Sequence, residues 1–220
     1  SGLTIRDDQR IPEELYDGAN AFTEQLYSFR ITWVPGFYVN PRWSWLFGGC
    51  AFYFYPDFFA LFIIRKAFAV RERWLIYSRR ELLSHELCHV ARVGLGSSVF
   101  EEMFAYQTAT SRFRRVAGSV FRSPRDSFLL LGTTFLLLAA QIVRVTAFPG
   151  LVIWPFWGLV AGVIGFLSAR QWHYRRVFRR AQAVLASVMH SPLSALFRCT
   201  DAEILEIAEC ENDSAAAACI

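Results

Sequence analysis

The chain has 220 residues, 23 basic against 19 acidic side chains for a net charge of +4, and 54% hydrophobic residues including 21 phenylalanines. Its mean hydropathy of +0.28 is high for a soluble domain and directs attention to membrane segments, whereas so small a net charge gives no nucleic-acid-binding signature. Cys50, Cys88, Cys199, Cys210 and Cys219 form no CxxC or Cys-His pattern, so free thiols in a reducing compartment are the simplest account.

Ser1-Gly2-Leu3 opens the chain with no signal-peptide pattern. Residues 12–29 carry an early proline, Glu13 and Glu14 in the first turn, and apolar Leu15, Ala19, Phe22 and Leu26. This predicts an amphipathic helix that covers the core, closing an N-terminal unit over residues 1–30. Residues 31–78 change to aromatic and β-branched runs broken at Pro35-Gly36, Asn40-Pro41, Gly48-Gly49 and Pro56-Asp57. Strands are predicted at 50–55, 58–64 and 73–77. A membrane segment over 43–64 is the rival reading, opposed by Pro56 and Asp57 near its middle.

His85-Glu86-Leu87-Cys88-His89 reads HExxH. On a helix its two histidines share one face and can hold one Zn²⁺, with Glu86 beside them as a base for water; Cys88 points elsewhere and is read as packing. A break through Gly94, Gly96, Ser97 and Ser98 follows, and then Glu101-Glu102-Met103-Phe104-Ala105-Tyr106 opens a second helix with two carboxylates.

Here the chain resembles the gluzincin zinc metallopeptidases, in which a glutamate of a following helix, often in an E-x-x-A-D pattern, joins the two HExxH histidines. The resemblance covers residues 81–108 and implies zinc held by His85, His89 and Glu102, a water in the fourth position, and Glu86 as general base. Glu101 is the competing ligand, since one residue of register turns a helix by about 100°. Tyr106 stands where the family usually has aspartate; its hydroxyl either orients a ligand histidine or faces the substrate oxyanion. The resemblance also implies a small sheet ahead of the HExxH helix whose edge strand pairs with an extended substrate.

Residues 127–143 and 150–169 are almost wholly apolar and are joined by 144–149, which predicts an antiparallel transmembrane hairpin with Trp154 and Trp157 at an interface. Arg112, Arg114, Arg115, Arg122 and Arg125 precede it and Arg170, Arg175, Arg176, Arg179 and Arg180 follow, so both ends are expected on the cytoplasmic side, with the arginines meeting anionic lipid. His173, on that same side, is a candidate oxyanion stabiliser or a plain interfacial residue; His190, beside Pro192, reads as a surface residue. Helix continues over 181–189, Thr200-Asp201-Ala202-Glu203 is a capping box for a helix to about residue 208, and the tail from 211 is expected to fray. Cys219 is second from the end, where it makes no four-residue prenylation signal.

The expectation is therefore α+β: a mostly helical membrane protein with a small β-sheet beside the HExxH helix and a two-helix transmembrane hairpin. Its units are 1–30, a metallopeptidase core over 31–110, the hairpin over 111–180 and C-terminal helices over 181–220. The expected function is an integral-membrane zinc endopeptidase acting on a peptide or protein, membrane-associated substrates included by analogy with the CAAX prenyl endopeptidase and HtpX relatives. The lipid bilayer is its expected partner, nucleic acid is not, and the oligomeric state is left open. A zinc-binding membrane scaffold and a membrane-anchored zinc hydrolase of a non-peptide substrate are the alternatives.

Overall fold

The computed structural model describes residues 6–40, 48–54 and 59–210. Helix α1 (Glu14–Tyr27) leads to a three-stranded sheet of β1 (Gly36–Val39), β2 (Gly49–Phe54) and β3 (Phe59–Arg65). Its order is β1-β3-β2, with β1 parallel and β2 antiparallel to β3. The strands of β2 and β3 rule out a membrane helix over the described part of 43–64; the Pro56-Asp57 turn lies outside the described residues.

A short helix α2 (Ala67–Val70) and a two-residue hairpin, β4 (Arg73–Trp74) with β5 (Tyr77–Ser78), come next. The strand expected over 73–77 is thus this separate hairpin, turned at Leu75 (φ 52°), and the third strand of the main sheet is β1. The sequence hid β1 because Pro35-Gly36 reads as a turn. Gly36 is instead the first residue of the strand, where Ile11 and the Tyr16 hydroxyl fill the space of a Cβ.

Helix α3 (Arg79–Arg92) carries the HExxH motif and is capped by Ser78, whose Oγ accepts from the Glu81 N–H at 3.1 Å. It lies between two cores. Leu83, Leu87 and Val90 pack with α1 and the sheet, while Cys88 packs on the opposite side with Phe104, Phe178, Leu185 and Ile204. Helix α4 (Glu101–Gln107) follows after a tight turn, then α5 (Arg112–Ala117).

Helix α1 covers the core as expected, and of the apolar stripe Ala19 is fully buried while Leu15, Phe22 and Leu26 are half-buried; Tyr16, Asn20, Thr23 and Tyr27 complete its buried face. The polar members have partners: Asn20 exchanges two 3.0 Å hydrogen bonds with the Ile31 backbone, and Thr23 donates to Asn20 O and Phe29 O. They hold the chain reversal that leads into the sheet.

Helices α6 (Pro124–Thr146) and α7 (Trp154–Val188) run antiparallel, joined at one end by Leu137, Ala140 and Ile153 and at the other by Asp126 and Arg170. The two-helix transmembrane hairpin needs correction. Among the described residues only α6 is long and apolar enough to cross a membrane; α7 is diluted by Pro155, Gly158, Gly162, Gly165 and Arg170, and its second half, through Phe178, Ala181 and Leu185, enters the helical core. Helices α8 (Pro192–Leu196) and α9 (Asp201–Glu209) close the fold, α9 with the expected Thr200/Glu203 capping box. The tail from 211 lies outside the described residues.

Candidate metal centre

The four-residue spacing on α3 turns His85 and His89 toward one side, where α4 brings up Glu102. The two Nε2 atoms are 3.2 Å apart, and the Glu102 oxygens lie 3.7 Å from His85 Nε2 and 3.6 Å from His89 Nε2. A tetrahedral ion with bonds of about 2.0–2.1 Å keeps its ligand atoms about 3.3 Å from one another. These three side chains, whose ligand atoms all lie within 4.8 Å of one another, can hold a metal ion.

Glu101, the competing ligand, does something different. About 100° around α4 from Glu102, it meets the other ring nitrogen of His89: Oε1 is 3.0 Å from Nδ1. Its Oε2 accepts from Arg92 Nε at 2.8 Å. A carboxylate on the far nitrogen sets the tautomer and orientation of a ligand imidazole. Arg92 is 1% exposed, donates to Ser97 Oγ (3.0 Å), Cys199 O (3.2 Å) and Phe197 O, and stacks 4.3 Å from the Phe104 ring centre. The chain Arg92–Glu101–His89 was not read from sequence. An arginine three residues after HExxH with a spare carboxylate on the next helix is the signal that pointed to it.

Glu86 is 7% exposed and its carboxylate accepts a hydrogen bond from the Ala51 backbone of β2. Burial pushes its pKa up to about 6, opposed by the charge of His89. Burial also raises Glu102 and, with His89 beside it, lowers His85 well below the usual histidine range. For His89 burial acts downward, but the hydrogen bond to Glu101 and the charges of Glu102 and Glu86 outweigh it and hold the ring at about 9. Glu86 and the three ligand candidates, with Cys50, Ala51 and Ser97, line a cleft of about 410 Å³ walled by β2.

Tyr106 packs edge-on against His85, ring centres 4.7 Å apart at 75°. Among the described residues its hydroxyl makes no hydrogen bond to the ligand histidine, so it orients the ring by contact alone, and burial raises its pKa to about 12. A Cβ on Gly118 would overlap the Tyr106 ring, which fixes the ring's place. His173 is not brought to the cluster. It is exposed on α7 against Tyr174, because the inward face of that helix is Gln171, Phe178 and Ala181, and position 173 is turned out of it. His190 is likewise removed from the site, in the turn after α7.

No family model, curated protein or solved structure matches the chain.

Proposed function

We propose that the chain is a membrane-embedded zinc peptidase of the gluzincin kind. The observation that carries this is the convergence of His85, His89 and Glu102 with Glu86 alongside, in a cleft walled by β2, an outer strand of the sheet. Zinc held by the three ligands would supply a Lewis acid that polarises a carbonyl and acidifies water. Glu86, buried and within the cleft, takes the proton of the attacking water and passes it to the leaving amine; a pKa of about 6 suits both steps near neutral pH. An extended substrate lies along β2, which within the described residues pairs only with β3, and backbone pairing there accepts many side chains. Tyr106, packed edge-on against His85, is in this reading the candidate donor to the oxyanion.

The membrane part of the proposal rests on α6, only 17% of whose apolar window is buried, and on exposed Phe128, Phe135, Ile142, Trp154, Trp157 and Phe166 along α6 and the first half of α7. We place α6 across the bilayer with the first half of α7 packed along it. By the positive-inside rule, the arginines at the Asp126–Arg170 end support a cytoplasmic side for the catalytic unit.

The test is elemental analysis of the purified protein together with hydrolysis of an unfolded protein such as casein. About one zinc per chain is expected in the parent. His85→Ala and Glu102→Ala lose it, and Glu86→Gln keeps it while hydrolysis falls at least about a thousandfold. A folded parent that takes up no zinc overturns the centre, and a Glu86→Gln variant as active as the parent leaves a metal-stabilised scaffold.

A further inference from the structure

A second groove, of about 500 Å³, runs between the end of α5 and α7, from Ser168 at the end of the apolar half of α7 to Arg179. Val116, Val120 and Trp172 line it, and Arg175, Arg176 and Arg179 stand along it. Positions 172, 175, 176 and 179 recur at i, i+3, i+4 and i+7, so one face of α7 carries both the indole and the three cations. Their arrangement has a direction. Val120 and Trp172 are nearest the Asp126–Arg170 pair that closes the apolar end of the helix pair, since Arg170 Nη2 donates to Val120 O at 3.1 Å. The arginines lie up to two turns further from the apolar half.

The charge there is uncompensated. Among the described residues no carboxylate comes within ion-pair distance of Arg175, Arg176 or Arg179, in contrast to Arg114 and Arg170, which pair with Glu81 and Asp126 at 2.6 Å. Arg175 spends one nitrogen on the Arg115 and Val116 carbonyls, and Arg176 lies 5.7 Å over the Trp172 ring. What fits is an amphiphile with an anionic phosphate head: its apolar stem against Trp172 and Val120, its phosphate among the three guanidinium groups. A diffuse basic surface attracts such lipids without a groove; here the apolar wall and the cations form one site.

We infer that this groove is a binding site for one anionic phospholipid of the surrounding leaflet, an inference that rests on the membrane placement of α6 proposed above. The experiment is native mass spectrometry of the full chain in detergent with equimolar phosphatidylglycerol and phosphatidylcholine. Retention of one phosphatidylglycerol in preference to phosphatidylcholine is expected, reduced about tenfold or more in Arg176→Gln/Arg179→Gln and unchanged in Arg112→Gln/Arg180→Gln, which removes equal charge outside the groove. Equal retention of the two lipids by the parent, or equal loss in both double variants, overturns the site. Inorganic phosphate binding alone as tightly as the lipid reduces it to an anion site, and preferential retention of a short oligonucleotide gives it to nucleic acid. Flotation with neutral phosphatidylcholine vesicles separates the underlying premise: protein that floats but shows no lipid preference fails only this inference, whereas protein that does not float fails the membrane placement.

Discussion

Arg92 shows how much of the candidate centre depends on residues other than its three ligand candidates. A fully buried guanidinium persists only with partners, and here it has one carboxylate, three further acceptors and an aromatic face. Glu101 passes this arrangement on to His89. If the proposed zinc site holds, Glu101→Gln should weaken zinc binding about 10–100-fold by titration against a chelator, while Glu102→Gln, which removes the proposed third ligand, should abolish stoichiometric binding. Equal zinc affinity in Glu101→Gln and the parent would count against the orienting role. Tyr106 depends similarly on a neighbour. Gly118→Ala places a methyl where the ring now stands and should lower stability by about 1–3 kcal/mol in denaturant unfolding. Gly94→Ala, whose Cβ meets nothing within 4 Å, is the matched control and should differ little from the parent.

Among elements, α9 does more than close the helical core. Its first residue, Asp201, accepts from Ser97 Oγ and from the Ser98, Val99 and Phe100 N–H groups at 2.7, 2.8 and 3.2 Å, so it ties down the segment entering α4, the helix of Glu101 and Glu102. Burial acts to raise its pKa, and these hydrogen bonds outweigh that and hold it below the usual carboxylate range. A depressed folded-state pKa means that the carboxylate stabilises the fold above its unfolded value, about 3.9, and loses that contribution as pH falls through the folded value. Asp201→Asn should cost about 1 kcal/mol at neutral pH, and the gap between parent and variant in urea midpoints should close in the acid range. A gap of constant size from neutral pH to about pH 2 would show that the charge is not what matters.

At the scale of the whole molecule, the apolar helix pair and the metal centre are joined through the Asp126–Arg170 pair and the second half of α7. Arg170 donates to both Asp126 oxygens, at 3.0 and 2.6 Å, and Asp126 also accepts from the Arg122 N–H at 2.9 Å. Asp126→Asn leaves the arginine without its carboxylate and should cost about 3 kcal/mol by thermal unfolding in detergent. Replacing both partners with Leu should recover part of that loss.

Much of this was legible in the amino-acid order because it depends on local spacing. The i, i+4 histidines, the glutamate pair opening the next helix, the α9 capping box, the apolar run of α6 and the existence of β2 and β3 are all properties of a few neighbouring residues. What only the tertiary structure decided needed contacts distant in the chain. Gly36 became a strand residue because Tyr16 lies over it, and the buried side of α1 took in Asn20 and Thr23 beside Ala19 because both meet a chain reversal. His173 was turned away by the packing of α7, whose second half joined the core instead of ending with the apolar run. That Glu102 lies beside the histidine pair while Glu101 takes the far nitrogen of His89 depends on the packing of α4 against α3 and on a buried arginine held from residues 197–199, more than a hundred positions away. Periodicity reports which side of a helix is apolar; only the neighbours determine which side is buried.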